Sequence, residues 1–185
     1  LPLSLRRQRQ MCIRDRLDAG RPLEREPVDL TRLVVDAVSD AHVAGPDHEW
    51  ELDLPDEPVA VPGDEARLHQ VLANLLANAR IHTPPGTTVT ASLAAAGNDV
   101  VLTVVDDGPG IPDSLQPEVF ERFARGDSSR SRRGGSTGLG LAIVSAVVRA
   151  HDGTIAVRSV PGRTEFVVTL PVNSQPRHSG DQSGA

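Results

Sequence analysis

Apolar residues recur along the chain with two distinct periods. Between Val28 and Val43 they fall at Leu30, Leu33, Val34, Ala37, Val38 and Ala41, the spacing of a helix with one buried face. Residues Glu49 to Leu54 alternate instead, as a strand does, and Pro58 to Val61 fits a second short strand. Gly63-Asp64 then opens the clearest helix in the chain, with Leu68, Val71, Leu72, Leu75 and Ala79 on one stripe and Pro84-Pro85 ending it. Two strands follow, Thr88 to Leu93 and Asp99 to Asp106, turned by Ala96-Gly97-Asn98. After a Gly/Pro loop at 107–112, a short helix is expected from Pro117 to Ala124. Residues 126–137 hold almost nothing apolar and are expected to form a mobile loop. A helix from about Leu139 to His151 comes next, then a hairpin of Thr154–Ser159 and Thr164–Leu170 turned at Val160-Pro161-Gly162-Arg163. The tail from Val172 is polar and expected to be disordered. Helices mixed with a largely antiparallel set of strands predict an α/β fold, a two-layer sandwich with helices packed on one face of a mixed sheet.

Composition narrows this picture. At 185 residues and 38% apolar, the chain suits one domain with short extensions. Aromatics are confined to Trp50, Phe120, Phe123 and Phe166, so the core must be aliphatic. A net charge of -6 argues against a direct nucleic-acid partner. No apolar run approaches the roughly 20 residues that span a membrane. No secretory signal is visible, so nothing here points outside the cytoplasm. There is no lysine: all nineteen basic residues are Arg. That excludes the Walker-type phosphate loop and the protein-kinase signature with its strand Lys.

The N-terminus departs from the rest. Met11 and Cys12 are the only Met and Cys, and both lie in Met11-Cys12-Ile13-Arg14-Asp15-Arg16. This hexapeptide back-translates to ATG-TGT-ATA-AGA-GAC-AG, which resembles the transposon end used in sequencing-library preparation. Residues 1–16 are therefore expected to be translated adapter DNA joined to a truncated gene, and are set aside from fold reasoning. Residues 17–28 are expected to be a helix end and linker, with Leu17-Asp18-Ala19-Gly20 closed by Gly and Pro. The main domain is placed at 29–171 and the tail at 172–185.

Three segments carry candidate chemistry. Asn74 and Asn78 are four apart on the helix at 64–82, on a flank roughly 80–120° from the centre of the apolar stripe. An Asn oxygen there suits a hard cation such as Mg²⁺, and a solvated polar flank stays open as the alternative. Asp106-Asp107-Gly108-Pro109-Gly110-Ile111-Pro112 follows a strand. Its glycines permit close backbone approach. A carboxylate at the strand end can accept a hydrogen bond from the adenine amino group, where guanine would present a repelling oxygen. Gly135-Ser136-Thr137-Gly138-Leu139-Gly140-Leu141 leads into a helix, an arrangement whose exposed N–H groups suit phosphate. It lacks the third glycine of a dinucleotide fingerprint, since Ile143 stands there.

Together, in this order, the segments resemble the catalytic and ATP-binding domain of sensor histidine kinases, the Bergerat-type ATP-binding fold. His69 to Arg80 resembles that family's N box and Asp106 to Pro112 its G1 box. Val119-Phe120-Glu121-Arg122-Phe123 resembles its F box, and Gly135 to Leu141 its G2 box. The resemblance covers about residues 17 to 171 and implies ATP and Mg²⁺ as ligands. It gives Asn78 the role of Mg²⁺ ligand, with Asn74 near the phosphates and both counted as catalytic. Asp106 would hold the adenine amine, while Gly108 and Gly110 would shape the pocket. Phe123 would anchor a lid that Gly138 and Gly140 let fold over the triphosphate. His82, Ile111, Thr137, Leu139 and Leu141 would complete the ATP contacts. Arg130, Arg132 and Arg133 would offer lid charge to phosphate, with a solvated loop the equal alternative. Many members carry Lys or Arg three residues after the Mg²⁺-binding Asn, followed by an aromatic; here Ile81 and His82 stand there. Arg80 is a poor substitute, because helix geometry turns it about 100° from its neighbour.

The resemblance also bears on the reaction. Gyrase, the Hsp90-type chaperones and mismatch-repair ATPases on this fold use a Glu four residues before the Mg²⁺-binding Asn as base for water. Here that residue is Asn74, which takes no proton at neutral pH. Transfer to a histidine, whose neutral imidazole needs no strong base, is therefore expected. The acceptor would lie on an upstream dimerisation domain, for relay to a response regulator, in a homodimeric protein anchored in the membrane. His42, His48, His69, His82, His151 and His178 all lack the acceptor context, so the fragment is expected to bind ATP without autophosphorylating. The alternative is an ATP-binding regulatory module of the anti-sigma type.

Overall fold

A computed structural model of the chain describes residues 23–121 and 139–173. The elements are β1 (Glu26–Asp29), α1 (Leu30–Ala44), β2 (Glu49–Asp53), β3 (Ala60–Gly63), α2 (Glu65–His82), β4 (Thr88–Ala96) and β5 (Asp99–Asp106). A 3-10 turn (Gln116–Glu118), α3 (Gly140–Ala150), β6 (Thr154–Val160) and β7 (Arg163–Pro171) complete them. Five strands form one sheet in the order β2-β4-β5-β7-β6, with β2 parallel to β4 and every other pair antiparallel. β1 and β3 form a separate antiparallel pair. Among the described residues, no helix is long and apolar enough to cross a membrane.

The two apolar periods meet in one aliphatic core. α1 buries Leu30, Leu33, Val34, Ala37 and Val38, while α2 buries Leu68, Val71, Leu72, Leu75, Leu76 and Ala79. The sheet answers with every second residue of its central strands: Val89, Ala91 and Leu93 from β4, Val100, Leu102 and Val104 from β5, and Phe166, Val168 and Leu170 from β7. In β5 the inward register runs on to Asp106, which is as buried as its apolar predecessors. The pleat thus turns Asp106 inward, where an aliphatic residue would otherwise stand.

Carboxylates start both long helices. Arg32 N–H donates to Asp29 Oδ1 (3.0 Å) and Arg67 N–H to Asp64 Oδ1 (3.1 Å), each satisfying one first-turn amide. The short helix expected from Pro117 to Ala124 is, in its described part, only a 3-10 turn. Pro117 brings no N–H, and the Gln116 side chain ties the segment sideways to Ile111 O and Ser159 O, both at 2.9 Å. The adapter-like residues 1–16, the Leu17–Gly20 helix end, the loop at 126–137 and the tail from 174 lie outside the described residues.

His151 fastens α3 to α2. Its Nε2 accepts the Asp64 N–H at 3.0 Å, so its Nδ1 carries the proton and donates to Val147 O at 2.8 Å. Both ring nitrogens are thereby committed to the neutral form. Burial pushes the pKa below its ordinary value; the Val147 bond opposes this, and Arg25 adds to it. A depressed histidine pKa means that the unfolded chain binds the proton more readily. This contribution to stability is complete above about pH 6.5 and is lost as pH falls below it. We expect the melting temperature to drop between pH 7.5 and 5, and His151→Gln to flatten that slope. Parallel melting curves for the two proteins would remove this role from His151.

Candidate functional site

A cleft opens where the end of α2 faces the β5 exit loop. Asn78, His82 and Thr83 line one side, and Asp106, Pro109, Gly110, Ile111 and Thr164 line the other. Of the two adjacent carboxylates, the strand register selects Asp106. Asp107 points back along the sheet edge, where its Oδ1 accepts the Thr88 N–H at 2.9 Å. Asp106 Oδ1 accepts the Gly108 N–H at 3.1 Å. Burial raises the Asp106 pKa above the usual carboxylate range. The Gly108 bond and His82 pull it down, while the Asp107 charge pushes it up. His82 stands at the solvent-exposed rim, yet the walls beside its ring hold its pKa below the ordinary value, against the attraction of Asp106.

Two glycines let the loop run close to its neighbours. A methyl group on Gly108 would stand 2.5 Å from Thr83 Cγ2 and 2.8 Å from Asp106 Oδ1. Gly110 has φ +85°, and a methyl group there would stand 2.7 Å from Val160 O. The loop is tied to the hairpin beneath it. Ile111 N–H donates to Ser159 Oγ at 2.7 Å, Ser159 Oγ lies 2.9 Å from Thr164 Oγ1, and Gly162 N–H donates to Gly108 O at 2.9 Å.

Asn74 sits one turn before Asn78 and meets the start of α3. A methyl group on Gly140 would be 3.7 Å from Asn74 Oδ1, an ordinary contact distance, so Asn74 borders the start of α3. Among the described residues, the buried Asn74 Nδ2 has no hydrogen-bond partner. Leu139, Gly140 and Leu141 are half-buried at this end of α3. The structure therefore gathers Asn78, His82, Asp106, Gly110 and Ile111 around the cleft, with Gly108 behind its wall and Asn74 beside Gly140. Phe123, Thr137, Gly138, Arg130, Arg132 and Arg133 lie outside the described residues.

Arg80 turns elsewhere. It lines a groove between α1 and α2 with Ala37, Asp40, Ala41 and His69, and its Cδ would be 2.5 Å from a methyl group on Gly45. Thr83 and Thr164 are cleft residues that the motif reading passes over. Thr164 was visible in principle, since it occupies the inward register of β7 ahead of Phe166, Val168 and Leu170. Thr83 gave no periodic signal, because it is the residue at which α2 ends before Pro84.

Comparison with known proteins agrees with this geometry. The family model described as histidine kinase-, DNA gyrase B-, and HSP90-like ATPase matches residues 63–174. The probable sensor histidine kinase TcrY of Mycobacterium tuberculosis is 72% identical over 165 residues, 89% of this chain and 35% of that protein. The sensor histidine kinase TrcS of the same organism is 48% identical over 171 residues, 90% of this chain and 33% of its own length. The chain thus spans about a third of the length of these curated relatives. Among solved structures, the mycobacterial sensor histidine kinase MprB superposes with a TM-score of 0.71 at 36% identity, over 79% of this chain and 97% of that one. The ATP binding domain of PrrB from Mycobacterium tuberculosis gives 0.67 at 30% identity, over 82% and 99%. TcrY, TrcS and MprB are sensor histidine kinases, which corrects the regulatory-module alternative. The chain belongs to the histidine kinase-, DNA gyrase B- and HSP90-like ATPase family, as an ATP-binding catalytic domain of the sensor histidine kinase kind.

Proposed function

We propose that this domain transfers the γ-phosphate of ATP to a histidine on an upstream dimerisation domain, for relay to a response regulator. The observation that carries the reading is the pair of asparagines on α2. Asn78 faces the cleft, and Asn74, where the family's hydrolases place a glutamate, offers an amide that cannot take a proton from water. Asp106 is the acceptor for the adenine amine, with His82 and Ile111 as pocket walls. Gly108 and Gly110 give the loop its shape. Asn74, Leu139, Gly140 and Leu141 form the phosphate end, which Thr137, Gly138 and Phe123 would complete.

Mg²⁺ fits this donor set. Among the described residues no cluster of three His, Cys, Asp or Glu could hold a metal, so Asn78 would offer one amide oxygen and the nucleotide's phosphates and water the rest. Bound there, the ion would neutralise phosphate charge. The protein's own contribution is to position the nucleotide and keep a general base away from the γ-phosphate. The intact protein is read as a homodimer anchored in the membrane through segments outside this chain.

The test supplies the purified chain with γ-labelled ATP, Mg²⁺ and a separately produced histidine-containing dimerisation segment. Acid-labile label is expected on that segment, none on the chain itself, and no transfer when EDTA removes the cation. Release of free phosphate at the same rate with and without the segment would make the protein a hydrolase and overturn the proposal.

A further inference from the structure

His48 lies behind the cleft wall, outside every motif. It is only 7% exposed, just ahead of β2, with its ring 5.9 Å from that of Trp50. Its Nε2 is 2.9 Å from Thr83 Oγ1, and the Thr83 hydroxyl donates to Ala79 O at 2.8 Å. The hydroxyl proton is therefore spent on Ala79, and His48 Nε2 must be the donor to Thr83. That leaves His48 Nδ1 as a buried acceptor with no partner among the described residues. A buried unpaired acceptor is unfavourable, and an aliphatic residue in this place would avoid it. The imidazole is thus poorly explained by packing, and the bond to Thr83 is what it provides.

That bond reaches the adenine side of the cleft in two steps. With its hydroxyl held between His48 and Ala79, Thr83 has one rotamer, which sets its methyl group against Gly108. Gly108 in turn donates its N–H to Asp106 Oδ1. We propose that His48 is a positioning residue for nucleotide binding, acting through Thr83 and Gly108 on the direction of the Asp106 carboxylate. This rests on the reading of the cleft as the adenine site. It also links the edge strand β2, through a residue that touches no ligand, to the group that selects the base.

Titration calorimetry of Mg-ATP into the full chain tests the link. His48→Leu and Thr83→Val should each weaken binding about fivefold, the worth of roughly one hydrogen bond. The double variant should bind no more weakly than either single one, because both break the same path. His48→Gln, whose side-chain amide can take the place of Nε2–H, should return to within about twofold of the parent. A lost packing contact would lower the melting temperature of all three His48 and Thr83 variants without this rescue. Unchanged affinity in Thr83→Val, additive losses in the double variant, or no recovery in His48→Gln overturns the inference. If His48→Leu does not fold, Thr83→Val and His48→Gln decide. If the parent chain binds ATP and Asp106→Asn binds it equally well, the reading of the cleft has failed instead.

Discussion

Asp106→Asn should abolish measurable ATP binding while leaving the fold intact. Oδ1 of Asp106 is already committed to the Gly108 N–H, so the second oxygen is the acceptor left for an exocyclic amine. An asparagine has one oxygen for these two donors. Whichever way its amide is turned, an NH₂ group faces either Gly108 N–H or the adenine amine. A lost bond to a charged acceptor, worth about 1.5–3 kcal/mol, combined with this donor-donor conflict predicts a Kd raised about 100-fold or more. Stability should hold. Burial raises the pKa of Asp106, so the folded state binds its proton more readily than the unfolded chain does. The group then contributes stability only in its protonated form, as pH falls, and at neutral pH its buried charge is a burden that Asn lacks. Calorimetry beside a melting curve checks both halves. An Asp106→Asn protein that binds ATP like the parent would remove Asp106 from the nucleotide site.

The second large effect is on stability. Gly110 adopts φ +85°, a conformation worth about 1–2 kcal/mol against an L-residue with a side chain. A methyl group would also stand 2.7 Å from the carbonyl oxygen and 2.8 Å from the carbonyl carbon of Val160, backbone atoms at the β6–β7 turn that no rotamer change can move. Gly110→Ala should therefore lose about 3 kcal/mol or more, or about 10 °C in melting temperature. Gly97, at φ +64°, supplies the control, since nothing lies within 4 Å of its added methyl group. Gly97→Ala should show the backbone part alone, about 1 kcal/mol. Equal losses at the two positions would mean that Val160 yields and the close approach is unimportant.

Most elements could be read from periodicity because their burial is one-sided. The stripes of α1 and α2 and the alternation in β4, β5 and β7 are the same fact seen before and after folding. β1 escaped because only Val28 of its four residues is buried, and one apolar residue sets no period. The parallel pairing of β2 with β4 was equally hidden, since register depends on how β3 and α2 carry the chain between them. At the site, the family resemblance pointed to Asp106 without saying why its neighbour would not serve. The pleat supplies the reason: inward register for Asp106, a bond to Thr88 for Asp107. The direction of Arg80 is a matter of helix phase: it lies two positions from Asn78 and from His82, roughly 200° round α2, which takes its side chain from the cleft to the α1–α2 groove. Thr83 and His48 are legible only in three dimensions, since they are thirty-five residues apart in sequence and neither belongs to a repeating pattern.

The edge strand β2 has a consequence for assembly. Its exposed residues include Glu49, Glu51 and Asp53, and the first two carboxylates already take the hydroxyls of Thr88 and Thr90. A second copy approaching this edge would bring a row of like charges against its own image while seeking the free backbone groups between them. The sheet therefore resists growing from one molecule into the next along β2.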